Sequence, residues 1–246
     1  MSYSARRRAP RRRLWRHSPR GRRVGPRRHR SRSAPTAALA ATALLCAGYL
    51  GWEFYGTTWL AKEQQRTALA SLTSAWTRQA PSVTRHGVAV DGILRIPRFG
   101  STYAVPLVEG TDPRSLALGV GHMVDSAHPG EPGNVVLAGH RITHGEPFRR
   151  LPDLQPGDEV VIDTIGFSYT YRVIGDGRSR LRVRDDAAWV LAASPADPAR
   201  AGAIAPAGTG LITLLTCAEL FHTTDRLVIF GELVRSAPRV SAHPEA

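Results

Sequence analysis

A chain of 246 residues is long enough for one folded domain with appendages and too short for two large ones. Its formal net charge of +13 would fit a nucleic-acid partner if it covered a folded face, but 14 of the 33 basic residues are arginines within positions 1–52, where no Asp or Glu occurs. The rest of the chain holds 19 basic residues against 20 acidic ones, so the folded part is nearly neutral and no nucleic-acid partner is expected.

Positions 1–32 carry runs such as Arg6-Arg7-Arg8 among Pro, Ser and Gly without apolar periodicity, which predicts a disordered, Arg-rich cytoplasmic tail. From Ser33 to Trp52 no residue is charged, and the Ala- and Leu-rich run approaches the roughly 20 residues that cross a bilayer. Trp52, Tyr55 and Trp59 add aromatics of the kind found at membrane interfaces. A single transmembrane helix over 33–58 is expected, anchored in membrane lipid, with the arginines inside the cell and everything after about residue 60 outside it. A cleaved signal peptide is the competing reading, disfavoured because no small-x-small cleavage site follows the apolar run.

Positions 59–85 read as a helical stalk, in which Leu60, Leu69, Leu72 and Trp76 are spaced among polar residues before Pro81. Beyond it, short apolar and β-branched segments are separated by Gly, Pro and Asp: 92–98, 103–108, 134–139, 159–164, 169–174, 189–192, 211–216 and 226–234. Eight such segments predict a mainly β fold, a closed or nearly closed barrel over 86–235, with short helices at 112–118 and 148–151. Positions 236–246 read as a disordered tail.

Of the two cysteines, Cys46 lies in the apolar run and Cys217 ends the strand-like segment 211–216; they are not expected to pair. Exported proteins either pair their thiols or use them, so an unpaired Cys217 is a candidate nucleophile, with plain burial as the alternative. His140 ends the apolar segment 134–139, and Arg226 follows Cys217 by nine positions and opens Leu227-Val228-Ile229-Phe230. Taken singly, these two read as a loop histidine and a solvated strand-edge arginine.

Together they carry a resemblance. Thr213-Leu214-Leu215-Thr216-Cys217 is similar to the sortase signature TLxTC, and the order His, TLxTC, Arg is the sortase order. The stretch GHMVDSAHPGEPGNVVLAGHRITHGEPFRRLPDLQPGDEV resembles the sortase segment around the catalytic histidine, with its PGxxGN turn, apolar strand and GH pair. The resemblance covers about 150 residues and implies a sortase-like eight-stranded β-barrel. It implies a cysteine transpeptidase with Cys217 as nucleophile, His140 as acid and base and Arg226 as the stabilising cation, with His122 and Thr216 in supporting roles. Such enzymes cut a C-terminal sorting signal of secreted proteins between Thr and Gly, hold the acyl group as a thioester, and pass it to a cell-wall amine. The pattern is most like the class E enzymes of actinobacteria, which prefer LAxTG over LPxTG, although the segment 218–225 departs from any one class and leaves the signal open.

His128, His144 and His222 read as surface loop residues. No group of His, Cys, Asp and Glu has zinc-like spacing, and Asp158, Glu159, Asp185 and Asp186 read as turn and surface charges, so neither metal nor cofactor is expected. Two other functions would also fit parts of the sequence. Another wall cysteine transpeptidase would place its histidine close before an SxGCR-like motif, which is missing, whereas His140 precedes Cys217 by 77 positions. A catalytically silent, sortase-like binding module at the membrane is the other, against which stand the intact Cys, His and Arg.

Overall fold

The computed structural model describes residues 33–175, 180–199, 202–206, 208–217 and 224–239, in two units, Met1–Leu44 and Leu45–Ala246. The expected tail 1–32, the last positions of the expected tail 236–246 and His222 lie outside the described residues.

The apolar run forms helix α1, Ser33–Gly51, followed by one π-helical turn at Trp52–Gly56 and then by helix α2, Thr57–Thr77. Among the described residues no helix is long and apolar enough to cross a membrane, so the transmembrane helix expected over 33–58 is not met as one element. The uncharged run ends at Trp52 and the helical geometry changes there, just before Glu53.

The remainder is mainly β. The strands are β1 (Val83–Arg85), β2 (Val88–Arg95), β3 (Val105–Glu109), β4 (Val120–His122), β5 (Gly133–Ala138), β6 (Glu159–Asp163), β7 (Phe167–Val173), β8 (Arg180–Arg184), β9 (Gly210–Cys217) and β10 (Asp225–Pro238). Eight of them run in the order β2-β3-β4-β5-β9-β10-β7-β6 and close on themselves, because β6 pairs back onto β2 through Ile93↔Asp163 and Arg95↔Val161. At this seam the buried Asp163 carboxylate pairs with the Arg95 guanidinium. The expected eight-stranded barrel is therefore present, with β1 added outside β2 and β8 laid along β10.

Several boundaries differ from expectation. Positions 189–192 form a 3-10 turn, Ala188–Leu191, and not a strand; a run of four apolar residues does not distinguish the two, and here Trp189 stacks on Phe230 at 6.2 Å. Strand β2 starts earlier and yields to a 3-10 turn at Pro97–Phe99, where proline has no N–H for the ladder. β10 runs into the expected tail, since Ser236 and Pro238 pair with Tyr169 and Phe167. The short helix at 112–118 forms as α3, Pro113–Leu118, capped by the Asp112 carboxylate, which accepts from the Arg114 and Ser115 amides.

The barrel interior follows from two-residue alternation along each strand. Val135 and Leu137 of β5, Ile212 and Leu214 of β9, and Leu227 and Ile229 of β10 join Ile162, Tyr171 and Phe148 in one core. The opposite face of β9 and β10 has its own cover, where Val228 and Phe230 pack with Val190, Ile204, Leu181 and Leu215. The expected stalk does not stand away from the barrel. Ala68, Leu72 and Trp76 of α2 pack on Val88, Val90, Ile93, Val108 and Leu118, since burying Leu or a larger side chain returns about 1.5–3 kcal/mol each.

Asn134 ties the two layers together. Its amide nitrogen donates to the carbonyls of Val190 and Ala192 at 3.1 and 3.0 Å, and its amide oxygen accepts from the Thr213 hydroxyl at 2.7 Å. Asn134→Ala leaves the buried Thr213 hydroxyl and the Val190 carbonyl without this partner, so it lowers stability by about 2–4 kcal/mol, read as a reduced midpoint in urea at unchanged slope.

Candidate active site

Three neighbouring strands carry the candidate residues to one end of the barrel. β5 and β9 are parallel, with Val136↔Thr213, Leu137↔Leu214 and Ala138↔Leu215 in register. The ladder continues one step, as the Gly139 amide donates to the Leu215 carbonyl at 3.1 Å and the Thr216 hydroxyl donates to the Gly139 carbonyl at 2.7 Å. His140 and Cys217 each lie two residues beyond the pair Ala138↔Leu215, so the backbone brings them level. On the other side, β10 is antiparallel to β9 and sets Arg226 opposite Cys217. Arg226 in turn pairs with Val183 of β8. In the strand alternation, position 217 goes with Thr213 and Leu215, position 226 goes with Val228 and Phe230, and position 140 goes with Asn134 and Val136. All three positions therefore fall on the face of the sheet turned away from the barrel core.

Gly139 is required by a close approach: a Cβ there would lie 2.8 Å from the Phe148 ring. Phe148 is fully buried and its amide donates to the His140 carbonyl at 3.0 Å, which fixes the backbone on both sides of the histidine. The His140 ring stacks on His144 with centroids 4.7 Å apart, and its Nδ1 lies 3.5 Å from the Thr143 hydroxyl. Burial, helped by the neighbouring His144, pushes the His140 imidazole down to about 4. At neutral pH the ring is therefore uncharged and open to a proton.

Of the supporting residues, Thr216 acts at this place: it is buried and its hydroxyl locks β9 to β5 just before the two candidate residues. His122 is not brought to the same place. It pairs with Leu137, three residues short of His140 along β5, and its Nδ1 lies 3.1 Å from a Glu109 carboxylate oxygen. Its Nε2 is within 3.0 Å of the Ala127 carbonyl and 3.1 Å of the Ser126 hydroxyl. His128 is exposed and tilted against His122 at 5.3 Å. Asp158 is a turn residue, accepting from Arg98 and from the Gln155 amide at 2.8 Å each. Among the described residues no cluster of His, Cys, Asp and Glu is arranged to hold a metal ion.

Two participants escape a sequence reading. His144, expected as a surface loop residue, is half-buried against His140. Gln65 of α2 is 6% exposed and donates to the His144 carbonyl at 3.2 Å. A glutamine within an otherwise apolar buried stripe is the signal that marks it.

A family model described as a sortase domain matches residues 94–234. Sortase SrtE1 of Streptomyces coelicolor is 30% identical over 218 residues, which is 83% of this chain and 58% of that protein, so the chain spans less than two thirds of this relative's length. Sortase D of Bacillus subtilis is 30% identical over 159 residues, 60% of this chain and 76% of that protein. Among solved structures, sortase E from Streptomyces avermitilis superposes with a TM-score of 0.53 at 29% identity, over 63% of this chain and 95% of that one. Sortase E1 from Streptomyces coelicolor, solved with a tripeptide in its active site, gives 0.52 at 31% identity, over 63% and 93%.

Proposed function

The chain belongs to the sortase family, and we propose that it is a cysteine transpeptidase of the class E kind, with Cys217 as nucleophile, His140 as acid and base and Arg226 as the cation facing the developing oxyanion. The observation that carries this reading is the register of β5, β9 and β10, which sets residues 140, 217 and 226 side by side at one end and on one face of the sheet. The neutral His140 ring suits the first step. A thiol with an ordinary value near 8.5 is mostly protonated at pH 7 and needs an adjacent base.

Cys217 gives its proton to His140 as sulfur bonds to the threonyl carbonyl carbon of the sorting signal. Negative charge gathers on the carbonyl oxygen, where a permanently charged guanidinium stabilises it. The carbon–nitrogen bond to glycine then breaks, and the departing amine takes the proton back from His140. A thioester remains on Cys217. An amine of the cell wall attacks it, passes a proton to His140, and the sulfur leaves and is reprotonated.

The substrates on this reading are secreted proteins with a C-terminal LAxTG or LPxTG signal, the first favoured by the similarity to sortases E. Intact-mass measurement of the full chain after incubation with each peptide tests it. The expected result is a mass gain equal to the peptide up to its threonine, removed by hydroxylamine; no adduct with either peptide overturns the enzyme reading and leaves a silent binding module. We propose in addition that α1 anchors the chain in the cell membrane, with the arginines inside and the catalytic domain outside. No residue from Ser33 to Trp52 is charged, and Leu39, Leu44 and Leu45 on α1 are 74–75% exposed, an apolar surface that lipid would cover. Membranes washed in alkaline carbonate should retain the full chain; release into the wash would overturn the anchor.

A further inference from the structure

We infer that Gln65, on α2, is a positioning residue for His140, acting through the loop that carries His144. The inference rests on the sortase reading for the role of His140 but not for the contact itself.

Gln65 sits where α2 crosses the loop after β5. A buried side-chain amide is costly unless it is hydrogen-bonded, and its amide nitrogen is bonded, donating to the His144 carbonyl at 3.2 Å. The backbone comes so close here that a Cβ on Gly145 would lie 2.6 Å from that same nitrogen, and Gly145 has φ +84°. His144 and Glu146 on either side are also left-handed, with φ of 51° and 54°. Three successive left-handed residues, two of them not glycine, persist only when their surroundings hold them. Three contacts hold this loop. Gln65 grips the first residue, the Tyr103 hydroxyl donates to the Pro147 carbonyl at 2.6 Å, and the Phe148 amide returns the chain to the His140 carbonyl.

The held loop presses the His144 ring onto the His140 ring at 4.7 Å. Gln65 is itself rigid, because Ala68, Leu72 and Trp76 seat α2 on the barrel wall. A line of contacts thus runs from the helix, through one amide and one loop, to the imidazole. Among the described residues the titratable group that acts on the His140 ring is His144; Arg141 follows His140 in sequence, Glu146 is held by Arg149 at 2.6 Å, and positions 217 and 226 pair across β9 and β10.

Gln65→Met tests the contact, since methionine keeps the length and burial and removes the donor. In full chain held in detergent, the His140 ring signal of histidine-labelled protein, identified by its loss in His140→Gln, is followed against pH. The expected result is that the midpoint moves up from about 4 toward the ordinary 6.5 as the loop loosens and water reaches the ring. Cleavage kcat falls roughly tenfold with KM little changed, as a displaced acid–base group requires. Gln65→Leu, which likewise has no donor and adds no charge, shifts the midpoint the same way. An unmoved His140 midpoint in folded Gln65→Met and Gln65→Leu overturns the inference. So does a loss of kcat matched by an equal loss of folded protein. Because the titration needs no substrate, it reads the contact even if no peptide is cleaved, and the two readings fail separately.

Discussion

Cys217→Ala is expected to abolish the acyl-enzyme adduct and to lower peptide cleavage by about 10⁴-fold or more, with little change in the urea midpoint. The size follows from what is removed. Without sulfur there is no thioester, and the difficult amide cleavage is no longer split into two easier steps. The small effect on folding follows from position: Cys217 is the last residue of β9, beyond the core residues Ile212 and Leu214, and its pairing with Arg226 uses backbone groups that alanine keeps. Continued cleavage by folded Cys217→Ala would remove the nucleophile from this position. The exposed Cys46 supplies the control, since Cys46→Ala retains both adduct and turnover.

His140→Gln lowers kcat/KM by roughly 10²–10⁴-fold, the range of a positioned acid–base group. Its pH dependence distinguishes catalysis from packing. On the proposed mechanism His140 must be neutral to accept the thiol proton, and burial with His144 beside it holds the ring at about 4, so wild-type activity is expected to fall on acidification through about 4 rather than near 6.5. Stability moves in the same direction. The folded value lies below the unfolded one, so the unfolded chain binds the proton more readily between 6.5 and about 4, and stability is lost as pH falls across that window. The glutamine variant lacks the His140 share of both slopes. An acid limb centred near 6.5 would show that the ring is solvated in the working enzyme, contrary to its burial here.

The strands that carry the site were readable because they are apolar, β-branched runs ending in a polar residue of distinct chemistry. Asn134–Ala138 with His140, Leu211–Thr216 with Cys217, and Leu227–Phe230 after Arg226 announce strand and chemistry together. The 3-10 turn at Ala188–Leu191 was not readable, because four apolar residues cover the same surface in either conformation. Strand β8 was hidden by its composition: Arg180, Arg182 and Arg184 look like a solvated loop, yet the intervening Leu181 and Val183 pack on the cover over β9 and β10. Gln65 and His144 were invisible for a different reason. Their contact joins residues 79 positions apart through one side-chain amide and one carbonyl, and nothing in local periodicity encodes such a meeting. The transmembrane reading rested on the absence of charge over Ser33–Trp52, which constrains solvation but not where the helix changes pitch.

The parallel pairing of β5 with β9 has a consequence in time. Parallel neighbours cannot be joined by a tight turn, and here the intervening chain includes all of β6, β7 and β8. Closing so long a loop carries an entropic penalty that local hairpins such as β6–β7 avoid, so β5 and β9 meet late on the folding route. Until they do, positions 140 and 217 are not level, and on the proposed mechanism the thiol behaves as an ordinary, weakly nucleophilic cysteine. On that mechanism a newly made chain is chemically quiet, and reactivity arrives with the last pieces of topology.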